Sequence, residues 1–315
     1  MTEFLQQLIN GLALGAIYAL IAIGYTMVYG VLRFINFAHS DVFMLGAFAG
    51  YFLSRMETWQ LFGQRIVPSW LVIPTGFYWS GALILILAMA LCAIIGMVIE
   101  FLAYRPLRKR PKLTVLITAI GVSLFIEYTC QHKNVFGAAP RKFPDLIPAT
   151  TWNFGGVVIG TNQVIVFVIT ALLLIALRFI VQKTKVGTAM RAVSFNEQAA
   201  ALMGVNINSI ISFTFGLGSA LAGAGGILFA MNYASIDPLM GVTVGLKAFI
   251  AAVFGGIGNL PGAALGGLIL GLLETFAGGV PGLSNYRDGI AFAILILILL
   301  FKPAGLLGKS TVEKV

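Results

Sequence analysis

Charge is what this chain has least of: 10% of its 315 residues are Asp, Glu, Lys or Arg, against about 25% in an ordinary soluble domain. Histidine and cysteine are scarce too, at two residues each. His39 and His132 have no metal-ligand spacing around them, so a metal site is not expected. Cys92 and Cys130 both fall in apolar runs and suggest buried thiols, with no disulfide framework. No G-x-S-x-G nucleophile elbow occurs. Gly308-Lys309-Ser310 ends like a phosphate-binding loop, but Pro303 stands where that loop needs its first glycine. The chain therefore reads as neither an enzyme nor a nucleotide-binding protein, and no cofactor is expected in it.

What is abundant is apolar surface: 59% of the residues are hydrophobic, and no polar block exceeds about 30 residues. At about 20 residues per span, residues 1–315 predict one all-α, polytopic membrane domain of about eight to ten transmembrane helices. The N-terminus lacks basic residues and a cleavage site, so it reads as a first span. The net charge of +9 raises the question of nucleic acid. Position answers it, because Arg105, Arg108, Lys109, Arg110 and Lys112 crowd one short loop. Such a loop marks the cytoplasmic side and meets anionic lipid.

Apolar runs are expected over about 4–29, up to 53, 77–102, 113–130, 164–181, 210–230, 239–254, onward to 277, and to 301. Counting sides from the basic loops gives nine passes, with the N-terminus outside and the C-terminus inside. Residues 132–162, with three prolines and several glycines, read as a turn-rich outer loop. Gly11 and Gly15, with Ala19 a turn later, form a small-residue face for close helix packing. Residues 239–277 as one helix would extend close to 60 Å, twice the hydrocarbon thickness. The chain must turn back at Gly255, Gly256, Gly258, Pro261 and Gly262. That break and the one near residues 31–41 are each preceded by a G-x-x-x-G pair, the trace that transporter repeats leave.

Two sets of residues stand out against this background. Asn36, His39 and Asp41 cluster at the first break, while Lys247 and Glu274 lie deep in later runs. Polar groups are costly in lipid and line a cavity or pair with one another, so these are candidates for a polar route. Glu127 reads as a boundary residue. The second set is a polar island at 183–208, placed in the cytoplasm by Lys183, Lys185 and Arg191. Ser194-x-x-Glu197 has capping-box spacing. A short helix over 194–204 follows, built from Asn196, Ala199, Ala200, Leu202 and Met203 and stopped at Gly204. Its small side chains suit it to another protein's groove.

Several stretches carry a family likeness. Tyr18-Ala-Leu-Ile-Ala-Ile-Gly-Tyr-Thr-Met-Val-Tyr-Gly30, Ile35-Asn-Phe-Ala-His39 and Glu100-Phe-Leu-Ala-Tyr-Arg-Pro-Leu107 belong to it. So do Gly187-Thr-Ala-Met-Arg191-Ala, Gly245-Leu-Lys-Ala-Phe249 and Gly255-Gly-Ile-Gly-Asn-Leu-Pro-Gly262. Together they resemble, over nearly the whole chain, the shorter permease subunit of bacterial branched-chain amino-acid ABC importers. Ser40 departs from the glycine more usual there, and 133–152 matches no family pattern. The resemblance implies an inner-membrane assembly of two homologous permeases, two cytoplasmic ATPases that bind ATP and Mg, and a periplasmic solute-binding protein. It makes the island a coupling helix that sits in an ATPase groove, involving Thr184, Gly187, Ala189, Arg191, Ser194 and the residues through Gly204. Urea, short amides or other amino acids are alternative solutes. An ion-coupled secondary transporter is the rival mechanism.

Overall fold

The computed structural model describes residues 2–58, 60, 61, 64, 65, 68, 72–108, 110–280, 282 and 284–308. Lys109, Lys309, Ser310 and Lys314 lie outside the described residues. Eleven α-helices occur among those described: α1 (Thr2–Leu32), α2 (His39–Ser54), α3 (Tyr78–Ile99), α4 (Lys112–Gln131), α5 (Thr161–Lys183) and α6 (Lys185–Phe195), followed by α7 (Glu197–Leu202), α8 (Ile207–Tyr233), α9 (Met240–Gly255), α10 (Leu260–Gly279) and α11 (Arg287–Phe301). Short strands β1 (Gln60–Leu61) and β2 (Gln64–Arg65) pair with each other. Among the described residues, seven helices are long and apolar enough to cross a membrane. At ~1.5 Å per residue, the 16-residue α2 and α9 extend about 24 Å, short of the ~30 Å hydrocarbon core.

The apolar surface is spent unevenly. In α1, 94% of the most apolar window is buried inside the protein, against 17% in α5 and 11% in the last helix. A helix apolar on all sides and surrounded by protein is a bundle core; one left bare in such a chain faces lipid. Small residues make the centre. Gly11 and Gly15 of α1 meet Gly267 and Gly271 of α10 so closely that a Cβ at Gly15 would lie 2.7 Å from Leu268 Cα. On the other side, α2 runs against α8, with Gly46 backed directly on Gly223. Gly241 and Gly245 of α9 meet Ser40 at the start of α2. The arrangement is reciprocal: α1 packs on α10, and α9 packs on α2.

At the break, α9 and α10 form an antiparallel hairpin, with Gly255 against Gly262. Gly256 has φ +106° and Gly258 φ +92°, values open to glycine at low cost. Pro261 sits in the first turn of α10, where its missing N–H costs nothing. Residues 305–308 fold back over this turn: Leu306 N donates to Phe254 O (2.8 Å), and Asn259 Nδ2 to Leu307 O (2.8 Å).

The segment expected to be a turn-rich loop is more ordered than that. It contains a hairpin of β4 (Thr151–Phe154) and β5 (Val157–Gly160). It also contains β3 (Arg141–Lys142), paired with β6 (Ser235–Ile236) after α8. Phe143, Leu146 and Ile147 are buried beneath it. Gln6 at the start of α1 bonds Val158 in both directions, at 3.0 and 2.8 Å. The two glycines at 155–156 make the hairpin turn, at φ +61° and +95°, and β-branched residues follow it.

Candidate functional site

The island forms two helices where the sequence predicts one. Thr184 Oγ1 accepts from Gly187 N (3.0 Å) and starts α6, which buries Gly187, Met190 and Val193 at three-residue intervals. Ser194 therefore falls in the last turn of α6 and caps nothing; its hydroxyl donates to Gly30 O of α1 at 2.6 Å. The cap of α7 is Asn196, whose Oδ1 accepts from Ala199 N at 2.9 Å, and Glu197 is simply its first residue. Asn ranks with the best N-caps, and an amphipathic stretch already claims Ser194. The stop at Gly204 is a Schellman motif: φ is +83°, Gly204 N donates to Ala201 O (3.0 Å) and Val205 N to Ala200 O (3.1 Å).

The smooth alanine face is also placed differently from expectation. Ala200 is buried against the chain itself, whereas Phe195, Leu202 and Met203 are 87%, 89% and 85% exposed. Ala189 is half-buried and Ala199 exposed. Arg191 is tied down by bonds to Val181 O and Thr188 Oγ1. What projects is an apolar crest at the α6–α7 corner, held rigidly at both helix starts.

A second network braces the same end. The Glu100 side chain is fully buried and pairs with Arg105 (3.0 Å) and Arg108, and it accepts from Ser212 Oγ of α8 at 2.6 Å. Arg108 also reaches Asn208 (2.7 Å). The backbone there runs through a π turn over Glu100–Tyr104 into a 3-10 turn over Arg105–Leu107. Sequence reasoning missed this cluster, reading Arg105 and Arg108 as side markers only. The usable signal was an acid inside an apolar run, five and eight residues ahead of two arginines.

The first-break residues are brought together only in part. Tyr104 OH donates to Asn36 Oδ1 at 2.5 Å. Asp41 accepts from Ser123 Oγ of α4 at 2.6 Å, and the same hydroxyl lies 3.3 Å from Glu127 Oε1. His39 is fully buried, its ring 4.7 Å from that of Tyr25, and neither ring nitrogen finds a partner among the described residues. Ser40 bonds Phe37 O (2.8 Å). Its side chain has room because Gly245 stands opposite.

Lys247 and Glu274 are paired at 2.7 Å, and Lys247 also bonds Asp288 of α11 at 2.8 Å. Tyr18 OH of α1 donates to the other Glu274 oxygen at 2.8 Å, so four helices meet on one buried acid and base. Glu274 forms the floor of a polar cavity of about 370 Å³ whose walls include Asn10, Gln163, Asn232 and Arg287. This cavity lies at the end of the bundle that carries the β4–β5 hairpin, since Asn10 accepts from both Gln6 and Gln163. Among the described residues, no group of three His, Cys, Asp or Glu could hold a metal ion.

A core of tightly packed apolar helices, a polar cavity at one end and a rigid apolar corner at the other define a multi-pass membrane permease. Residues 7–299 match the family described as branched-chain amino acid transport system, permease component. The chain belongs to that family; it is a permease subunit of an ABC transport system and not an enzyme. It is 41% identical to the high-affinity branched-chain amino acid transport system permease protein BraD of Pseudomonas aeruginosa, over 99% of this chain and 98% of that one. LivH of Escherichia coli K12, described in the same words, is 39% identical over the same shares. The probable branched-chain amino acid transport permease protein LivH of Methanocaldococcus jannaschii is 30% identical over 92% and 88%. No solved structure matches the chain.

Proposed function

We propose that the whole chain works as one transmembrane domain that imports branched-chain amino acids by alternating access, driven by two cytoplasmic ATPases that bind ATP and Mg. A second homologous permease completes the membrane unit, and a periplasmic binding protein delivers the solute to the end bearing the β4–β5 hairpin. The observation that carries this reading is the apolar crest of Phe195, Leu202 and Met203 on a corner whose other exposed residues are small or polar. Exposed large apolar side chains grouped on a rigid element mark a protein contact. The corner is also wired to the bundle. Ser194 holds Gly30 of α1, and Thr184 Oγ1 donates to Ile180 O of α5 at 2.6 Å. Displacement of the corner is thereby passed to two membrane helices at once.

The relatives named above support the solute, and the polar cavity around Glu274 supports an entry vestibule at the receiving end. Asn36 lies just before α2 against Tyr104, while His39 and Asp41 open α2 against α1 and α4, where a shift of α1 alters their surroundings. In this reading they are elements of the moving route, with Lys247 and Glu274 holding its outer part closed. The test is uptake of labelled leucine by proteoliposomes that hold the complete assembly. Leu202→Glu should cut ATP-driven uptake at least tenfold while the protein still inserts. Uptake within twofold of the unmodified protein would overturn the coupling role.

A further inference from the structure

The α6–α7 corner also forms one wall of a cleft. This cleft, of about 430 Å³, opens between the end of α1, the α3–α4 connection and the α6–α7 corner. Four cationic side chains line it, Arg33, Arg108, Arg110 and Lys112, against the single acid Glu197. Arg108 is already committed to Glu100 and Asn208. Arg33, Arg110 and Lys112 are exposed, and none of them takes part in a salt bridge among the described residues. Leu32, Phe34, Val115 and Val193 give it apolar walls as well. Arg33 is held at φ +55°, an uncommon conformation for a residue with a side chain, with its N–H bonded to Tyr29 O at 2.7 Å. A left-handed residue that closes α1 in a cleft shared with two other unpaired cations is costly, and a bound anion offsets such a cost.

We infer that this cleft binds the phosphate headgroup of an anionic phospholipid of the cytoplasmic leaflet, and that the lipid braces the α6–α7 corner. The phosphate would sit among Arg33, Arg110 and Lys112, with the glycerol and upper acyl carbons on Leu32, Phe34 and Val115. Two features favour lipid over a soluble phosphate or an acidic protein segment. Every cation flanks the end of a membrane helix, which is interfacial depth. The cleft combines apolar and cationic walls, as a lipid joins acyl chains to an anionic headgroup. Since Phe195 and Glu197 form one wall, occupancy stiffens the crest that the proposed ATPase contact uses. This consequence rests on the coupling reading; lipid binding does not.

The assembly is purified from detergent with phosphatidylcholine and phosphatidylglycerol at equal amounts, and retained lipid is counted by native mass spectrometry. The unmodified protein should retain phosphatidylglycerol in at least tenfold preference. Arg33→Gln/Arg110→Gln should lower that preference to near unity, while the control Arg178→Gln/Lys183→Gln, which removes two cations elsewhere on the same face, should not. Leucine uptake in vesicles of phosphatidylcholine with 30% phosphatidylglycerol should exceed uptake in phosphatidylcholine alone severalfold, and only the cleft variant should lose that gain. Equal retention in cleft and control variants overturns the proposal. So does displacement of the bound lipid by 10 mM inorganic phosphate, which would mark a free-anion site. Loss of ATPase co-purification in the cleft variant with lipid retention intact assigns the cleft to protein contact and overturns it as well. Failure of the ATPases to co-purify with the unmodified protein counts against the coupling reading alone.

Discussion

At the residue scale, the buried charges of the bundle centre on Lys247 of α9 and Glu274 of α10. An ammonium eight residues into an apolar helix must snorkel, pair or meet water. Here it pairs twice, with Glu274 at 2.7 Å and the half-exposed Asp288 at 2.8 Å. Removing one partner from a buried pair strands the other, at a cost of about 3–5 kcal/mol. Exposure of Asp288 places Lys247→Met near the low end, about 3 kcal/mol. Resistance of the purified permease to unfolding in sodium dodecyl sulfate should fall accordingly. Lys247→Met/Glu274→Gln, which leaves no unpaired charge on Glu274, should recover at least half of the loss. A single variant as stable as the unmodified protein would show that the pair holds nothing.

Asn196 offers a second, smaller test. Its side chain supplies the α7 cap at 2.9 Å, and losing an Asn cap costs about 1 kcal/mol. Asn196→Ala should speed amide exchange at Ala199 about fivefold and leave α6 unchanged. Unchanged exchange at Ala199 would return the cap to another residue. Asn196 was readable in the sequence, since Asn three residues before Ala199 is as good a cap signal as Ser194 three before Glu197. The choice between them turned on where α6 ends, and that depends on Met190 and Val193 finding a floor on the bundle. The Glu100 cluster was hidden for a similar reason, because Ser212 and Asn208 reach their partners in it from 112 and 100 residues away.

At the scale of elements, the apolar helices were legible almost to their ends. Runs of about twenty apolar residues admit no other structure in lipid. Which helix occupies the centre was only half legible. The G-x-x-x-G pair marks α1 as closely packed, but its partner Gly267-x-x-x-Gly271 lies some 250 residues on. Substitution tests that partnership. A leucine at position 15 would collide with the α10 backbone, and overpacking of this kind costs typically 1–3 kcal/mol, more where backbone must move. Gly15→Leu should lower the midpoint of thermal aggregation in detergent by at least 5 °C. Gly121→Leu, where a Cβ would meet nothing within 4 Å, should leave it within 1 °C. Equal effects at the two sites would contradict the packing of α1 on α10. The β4–β5 hairpin was the least legible element, because Trp152 and Phe154 are exposed and β5 is anchored by Gln6, far away in the chain.

For the whole molecule, the two ends of the bundle divide the work. Polar groups around Glu274 open at the hairpin end, and the apolar crest projects at the other, with α1 running between them from Gln6 to Gly30. Because α1 is enclosed by α8, α9 and α10, it cannot move without repacking the centre, and close-packed centres switch between discrete states. The account's central claim is that a partner ATPase grips the α6–α7 corner. The direct measurement places a cysteine at position 202 (Cys92 and Cys130 are both buried) and tests the purified assembly with a short thiol-to-amine crosslinker. The account predicts one adduct with an ATPase subunit, formed in a yield that changes when ATP is added. Full labelling of that cysteine by a water-soluble maleimide in the assembled complex, with no ATPase adduct, would contradict it.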